Sequence, residues 1–228
     1  MKKIFACLFG LCLVVAGVVG AIGAVAFEKD FYYDFYDRDQ TVLKENVREE
    51  DLDLAISLMV DYADSKRSDM DGEIVWNGIT QPAFKDYEVE HMEDVRVLWN
   101  NAKKAGIGAL TLTLVIAAGL LWKEGKMARA MLAQGVLAGF GAFVIFLVLL
   151  ACWAFVDFTS LWIQFHELFL SNSHWMLDPV TDFMIVACPE GLFEALIMRI
   201  VLVFGVYTGI LVLISLLILR RAKRSWVG

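Results

Sequence analysis

Four long apolar stretches divide this chain, and each is long enough to cross a bilayer as a helix. They cover residues 4–27, 105–122, 130–156 and 192–219. A hydrocarbon core of about 30 Å needs about 20 apolar residues at the rise of a helix, in which all backbone polar groups are bonded internally. The pattern predicts a mainly α, polytopic membrane protein with four transmembrane helices.

The basic residues beside these stretches predict the orientation. They precede the first stretch, join the second to the third and follow the fourth: Lys2, Lys3, Lys123, Lys126, Arg129, Arg220, Arg221, Lys223 and Arg224. Because such residues stay in the cytoplasm, we expect cytoplasmic termini, a cytoplasmic loop at 123–129 and a cytoplasmic tail at 220–228. Residues 28–104 then form a small extracytoplasmic α(+β) domain, and residues 157–191 an extracytoplasmic interfacial segment. A cleaved signal peptide at Ala24-Val25-Ala26 is the alternative for the first stretch.

Charge is distributed unevenly along the chain. The net charge is -7, but residues 28–104 alone hold 20 acidic and 10 basic residues. An acidic outer domain argues against a nucleic-acid partner, which needs lysine and arginine at the phosphates. Cys7, Cys12 and Cys152 lie in apolar stretches and Cys188 has no evident partner, so we expect no structural disulfide.

The outer domain has the patterns of two helices and a hairpin. Apolar residues at helical spacing follow acidic residues 49–51 and predict a helix near residues 52–60. Asn77-Gly78 predicts a hairpin turn after the strand that begins at Glu73. A second helix is expected from about residue 87 to residue 104, continuing into the second span. His91, Asp94, Val95 and Leu98 would share one of its faces.

The second outward connection is too apolar for an ordinary loop. Apolar side chains recur at helical spacing around His166: Phe158, Leu161, Trp162, Phe165, Leu168 and Phe169. Such a pattern is typical of an interfacial helix lying in the headgroup plane. His166 would then lie at the depth of lipid ester linkages, on the same side of the membrane as His91.

Two separated groups of residues resemble the signature of the bacterial lipoprotein intramolecular transacylases, a family of four-span membrane proteins. The first contains Glu88, Glu90, His91, Met92, Asp94 and Val95; the second contains Phe165, His166, Glu167, Asn172, Trp175, Leu177, Asp178, Pro179, Asp182, Pro189 and Glu190. Their order and sidedness also fit. The chain departs from the family pattern at His174, where a small acidic or polar residue is expected before Trp175.

The resemblance implies an acyltransferase of the bacterial cell membrane. An acyl chain would move from the diacylglyceryl group of a lipoprotein's N-terminal cysteine to the α-amine of that same cysteine, which gives the lyso-form N-acyl lipoprotein. The implied partners are this lipoprotein and membrane lipid. We expect a monomer, no cofactor and no metal. His91 and His166 occupy the positions of the family's two functional histidines.

The chemistry itself asks for groups of this kind. Converting an ester to an amide needs a deprotonated amine and a stabilised oxyanion, and histidine moves protons well near neutral pH. One histidine could take the amine proton while the other protonates the glyceryl oxygen, or a histidine could carry the acyl group as an acyl-imidazole. Asn172 or the indole of Trp175 could donate to the oxyanion.

Four charged residues are candidates for supporting or substrate-binding roles. Asp94, Asp178 and Glu190 could orient the histidines, although Asp178 before Pro179 is equally typical of a turn. Arg199, the basic residue inside the fourth stretch, could contact a substrate carbonyl or phosphate, or could reach outward to the headgroups.

Two other functions fit the same residues. A metal-dependent lipid or lipoprotein hydrolase would need three or four ligands, and no H-E-x-x-H or paired C-x-x-C pattern is present. A non-enzymatic membrane binding protein would use the acidic domain to hold a partner. Substitution of both histidines would distinguish the latter from an enzyme.

Overall fold

A computed structural model describes residues 1–170 and 173–224, without the side chains of Glu190 and Arg224. The helices are α1 Lys2–Val25, α2 Lys29–Asp39, α3 Thr41–Lys44, α4 Glu49–Ala63, α5 Asp86–Glu124, α6 Lys126–Val156, α7 Phe158–Phe169, α8 Phe183–Ala187 and α9 Glu190–Arg224. The strands are β1 Glu73–Trp76 and β2 Ile79–Pro82. Within these described residues, α1, α5, α6 and α9 are long and apolar enough to cross a membrane, and the four predicted stretches fall on them.

The chain divides into two compact units. The first contains Met1–Ile22, Ala102–Leu161 and Val201–Gly228, and the second contains Gly23–Asn101 and Trp162–Ile200. The first unit therefore holds most of the apolar length of the four long helices, and the second holds most of the two segments that the sequence predicts to face outward.

Helices α1 and α6 touch backbone to backbone in the first unit. A methyl group added at Gly135 would lie 1.9 Å from the carbonyl oxygen of Ala6, and one added at Gly139 would lie 2.3 Å from the carbonyl carbon of Gly10. Small residues permit such contact between membrane helices. Among the three closely spaced glycines of α6, Gly135 and Gly139 pack helices, whereas Gly141 has open space beside it.

Helix α4 is the centre of the second unit. Leu52, Ile56 and Leu58 are at most 1% exposed, and the helix packs against α2, α8 and β1. Its first turn holds three acidic residues, as the sequence predicted, where the helix dipole favours negative charge. The hairpin is also confirmed: Asn77 and Gly78 have φ of 52° and 77°, as its two-residue turn requires.

Helix α2 was not predicted. Residues 27–39 are rich in tyrosine, phenylalanine and aspartate, a composition that also suits chain at the headgroup level of a membrane, but three of the aromatic rings lie elsewhere. Phe31, Tyr32 and Tyr36 are buried in the core of the second unit. The two tyrosine hydroxyls donate to the carbonyl oxygens of Ala26 and Ala187, each at 2.6 Å. Rings with satisfied hydroxyls pack well in an interior, so their polar ends did not require exposure.

Candidate active site

His91 lies in the second turn of α5, before the helix becomes apolar. The predicted outer helix is confirmed, and it continues without a break into the second stretch as α5. The His91 ring is half-buried, and its Nδ1 atom is buried with no hydrogen-bond partner in the described part of the chain. A buried ring nitrogen without a partner carries a free-energy cost. Such an atom is available to a substrate group.

His166 is the buried residue of α7, a helix whose large apolar residues are exposed. Its side chain is 6% exposed, whereas Trp162, Phe165 and Leu168 are 43%, 45% and 76% exposed. The predicted helix is confirmed, and its position in the headgroup plane, which would suit these exposed apolar side chains, stays a prediction.

Three contacts, made by Trp162 and Trp175, fix the ring of His166. Its Nδ1–H donates to the carbonyl oxygen of Trp162, one turn earlier, at 2.8 Å. Trp175 stacks on the ring at 4.5 Å between centroids, and the indole of Trp162 lies 4.3 Å away. Because a carbonyl only accepts, the neutral ring carries its proton on Nδ1, and the lone pair is on Nε2.

Both histidines line one cavity of about 450 Å³, which lies wholly within the second unit. Val95 and Leu98 follow His91 along the same face of α5, as predicted, while Asp94 is not part of the lining. The rest of the lining is almost entirely apolar and comes from α4, α5, α7, α8 and the start of α9, from the α1–α2 connection with Tyr32 of α2, and from the connection between α7 and α8. An apolar cavity with a few convergent polar groups is the usual form of a ligand site.

The cavity keeps His91 neutral. Burial lowers the pKa of His91 from its ordinary value, and the positive charge that His166 can carry lowers it further; Asp94 opposes these effects and His174 adds to them. A charged imidazolium is disfavoured by desolvation and by like charge. His91 is therefore suited to accept a proton at neutral pH.

A buried carboxylate ties the two segments of the site together. Glu88, 1% exposed, accepts the backbone N–H of Lys85 at 2.7 Å and that of Met184 at 3.0 Å. The first bond is half of a capping box at the start of α5, and the second reaches α8. Burial raises the pKa of Glu88, while the two N–H groups lower it.

Asp182 is a second carboxylate that connects the start of α5 with the chain before α8. It accepts hydrogen bonds from the side chains of Lys85 at 2.8 Å and Tyr87, and from the backbone N–H of Asp178 at 2.7 Å. Burial alone would raise the pKa of Asp182, but these bonds, led by Lys85 and joined by the Thr181 hydroxyl, lower it to about 2. The turn before α8 is thus anchored to the start of α5, one turn before His91.

The other predicted residues are distributed around the site. Asp94 interacts electrostatically with His91. Asp178 is exposed, and its carboxylate accepts the N–H of Val180 at 2.8 Å, which is the turn role that the sequence left open. Arg199 pairs with Glu28 at 2.6 Å and lies over the Phe31 ring. Asn172 lies outside the described residues, as does the side chain of Glu190, the first residue of α9.

Sequence reasoning missed three partners of the site. Glu88 and Asp182 were noted only as part of a motif, and Trp162 only as an apolar position. Glu88 lacks the usual capping-box signal, because the cap position three residues earlier holds Lys85 instead of serine or threonine. Trp162 lies four residues before His166, where a helical carbonyl comes within reach of a side chain. No local signal predicts the bond from Met184 to Glu88, which are 96 residues apart.

Metal ligation has little support in this geometry. Within the described residues, no group of three or more histidine, cysteine or carboxylate side chains is close enough to hold a metal ion.

Comparison with known proteins identifies relatives of this chain. Residues 7–193 match the family model of the lipoprotein intramolecular transacylase Lit. No curated protein matches the chain. An in meso structure of the membrane integral lipoprotein intramolecular transacylase Lit from Bacillus cereus has a TM-score of 0.74 at 16% identity, covering 98% of each chain.

Two further structures of the Bacillus cereus protein are similar as well. A variant with one histidine replaced by arginine has a TM-score of 0.76 at 16% identity, covering 99% of this chain and 95% of that one. A variant with alanine at that histidine has a TM-score of 0.74 at 17% identity, covering 100% and 96%. These likenesses concern the fold.

Proposed function

The chain belongs to the lipoprotein intramolecular transacylase family, and from this premise we propose that His91 and His166 carry the transfer. The protein is a multi-pass membrane acyltransferase that moves an acyl chain from the diacylglyceryl group of a lipoprotein's N-terminal cysteine to the α-amine of that cysteine. The observation that carries the proposal is that both histidines line one apolar cavity.

The reaction requires only movement of one proton besides the acyl group. The amine nitrogen attacks the ester carbonyl, the C–N bond forms and the C–O bond to glycerol breaks. The proton lost by nitrogen is matched by one gained by the glyceryl oxygen. Because amine and ester belong to one substrate molecule, holding them together makes the step intramolecular.

His91 acts as the base. Its lowered pKa keeps the ring neutral, and its Nδ1 has no hydrogen-bond partner in the described chain. The amine proton passes to this ring as the C–N bond forms. A positioned base of this kind typically contributes about 10²–10⁴-fold to a rate.

His166 delivers a proton to the leaving glyceryl oxygen. The Trp162 carbonyl accepts from its Nδ1–H, and the rings of Trp162 and Trp175 lie close to it. Because Nδ1 is engaged by the carbonyl, Nε2 is the atom that exchanges a proton with the substrate. Trp175, and Asn172 by its sequence position, supply N–H donors for the oxyanion.

The site faces outward and the termini face the cytoplasm. The basic residues at the span ends support this orientation, and the exposed apolar residues of α7 support a position at the outer membrane surface. The lipoprotein then enters laterally from the bilayer. Both histidines come from one chain, which supports a monomer as the working unit.

Expression in a bacterium whose lipoproteins keep a free diacylglyceryl cysteine tests the function. We expect one acyl chain to move to the α-amine at unchanged total mass, seen by mass spectrometry of the N-terminal lipopeptide with fragmentation. A loss of one acyl chain from the total mass would indicate a hydrolase. An unchanged diacyl species, in cells that contain the protein, would favour a binding protein.

The rate should depend on pH in two steps. The substrate α-amine, with a pKa of about 8, must be neutral to attack, so the logarithm of the rate should fall with slope one below that pH. The pKa of His91 is lowered below its ordinary value of about 6.5. The slope should therefore steepen toward two only below pH 6.5, where the base also becomes protonated. A slope that steepens above pH 6.5 in detergent-solubilised protein would contradict a base of lowered pKa.

A further inference from the structure

The cavity extends well beyond the atoms that react. One face of α4 contributes Ile56, Met59, Val60 and Ala63 to the lining. Their spacing of three, four and seven residues places them on one side of the helix. None of these side chains can take part in acyl transfer, so this wall has another use.

The α4 face lies at the inner end of the cavity. Ile56, Val60 and Ala63 are 1%, 5% and 6% exposed, whereas lining residues Phe165 and Phe193 are each 45% exposed. The exposed rings form the rim and the α4 residues the interior. A group that enters past the exposed rings therefore meets the buried α4 side chains in the interior.

Trp99 holds the C-terminal end of the α4 face in place through two contacts. The indole N–H of Trp99 donates to the carboxylate of Asp64, directly after Ala63, at 3.0 Å, and the Trp99 ring contacts the cavity residue Phe27 at 4.8 Å. Leu98, on the same helix as Trp99, lies two turns beyond His91. At 1.5 Å per residue, two turns separate these positions by roughly 10 Å.

The size of the cavity suits one long acyl chain. If a methylene group occupies about as much space as a water molecule, roughly 30 Å³, then a cavity of about 450 Å³ holds a chain on the order of fifteen carbons. Apart from the histidines, the interior offers almost no polar group to a ligand. A saturated chain is the ligand class that gains most from such a lining.

We propose that this cavity receives the acyl chain being transferred and that the α4 face, chiefly Met59 and Ala63, sets the preferred chain length. This inference rests on the proposed function, since the ester must lie beside His91 and His166 while its chain extends to α4. An acyl chain that is too long would collide with the α4 side chains, and one that is too short would leave part of their apolar surface without contact.

Competition between two synthetic lipopeptides tests the proposal. Each carries two identical chains on its diacylglyceryl cysteine, of 14 carbons in one and 18 in the other, and the N-acyl products are counted by mass spectrometry. Burying one methylene group changes affinity roughly fourfold. Ala63→Leu adds three carbons to the cavity and should lower the ratio of 18-carbon to 14-carbon product on the order of tenfold. Met59→Ala should raise that ratio.

Leu58→Ala is the matched control for Met59→Ala. Leu58 is also buried on α4, but it faces Gly72 and does not line the cavity, so its loss should leave the product ratio unchanged. If Ala63→Leu fails to fold in a thermal unfolding assay, Val60→Ile replaces it with a smaller shift in the same direction.

The possible outcomes separate the two proposals. Unchanged product ratios in folded, active variants would show that the α4 face does not set the preferred chain length, and would leave the transacylase function intact. Absence of transfer by the unaltered protein would contradict the proposed function of the site itself.

Discussion

Replacing His91 with alanine is expected to lower the turnover number for acyl transfer by about 10²–10⁴-fold while KM changes little. The ring lines the cavity beside His166 and stays neutral because burial and neighbouring positive charge lower its pKa. Alanine removes the group that accepts the amine proton. Ground-state binding depends mainly on the apolar lining, which remains.

The measurement is single-turnover acyl transfer with a synthetic diacylglyceryl lipopeptide and purified protein. His174→Ala is the matched control, since His174 contacts Glu90 at 2.7 Å and does not line the cavity; its turnover should stay within about threefold of the unaltered protein, a change of under 1 kcal/mol in the barrier. Near-normal turnover in folded His91→Ala would rule out the base role. A large rise in KM at constant turnover would instead make His91 a binding residue.

Much of the architecture could be predicted because hydrophobic pattern acts locally. A span is recognisable from about 20 apolar residues, and the turn at Asn77-Gly78 from two residues that tolerate positive φ. The helix around His166 could be predicted from apolar residues at helical spacing. These signals require no knowledge of distant parts of the chain.

Helix α2 could not be predicted in the same way, because its aromatic residues have two physical uses. Tyrosine suits a membrane surface and a protein interior alike, and the choice depends on partners elsewhere. For Tyr36 the partner is the carbonyl of Ala187, 151 residues away. A local sequence pattern does not show which distant carbonyl will accept the hydrogen bond.

The sequence predicted that His91 and His166 converge, and both line one cavity, but their surroundings were not predicted. His91 and His166 could be brought together by topology alone, since both were expected on one membrane face. The lowered pKa of His91 and the fixed ring of His166 come from burial and from specific neighbours, and these require the fold. Arg199 shows the limit of local reasoning, because its pairing with Glu28 depends on where the first stretch ends.

The replacement Glu88→Ala is expected to destabilise the second unit by about 1.5–5 kcal/mol, since one buried N–H group loses its acceptor at about 1–3 kcal/mol and α5 loses a half-buried cap bond at about 0.5–2 kcal/mol. These donors belong to Lys85 and Met184. The loss frees α8 from the start of α5 and should also lower transfer, because His91 lies one turn beyond Glu88. Unfolding in detergent, followed against denaturant, measures the change. Asp86→Ala, at an exposed position in the same helical turn, should cost less than about 1 kcal/mol.

The pH dependence of unfolding distinguishes Glu88 from its neighbour Asp182. The pKa of Glu88 is raised in the fold, so its ionisation disfavours the folded state as pH rises through its unfolded value of about 4.3 toward the raised one. The pKa of Asp182 is lowered to about 2, so its contribution is present above about pH 4 and is lost as pH falls toward 2. Asp182→Asn should flatten stability in that acidic range, whereas Glu88→Gln should flatten it above pH 4. If neither slope changes, the two carboxylates do not hold the segments that position the histidines.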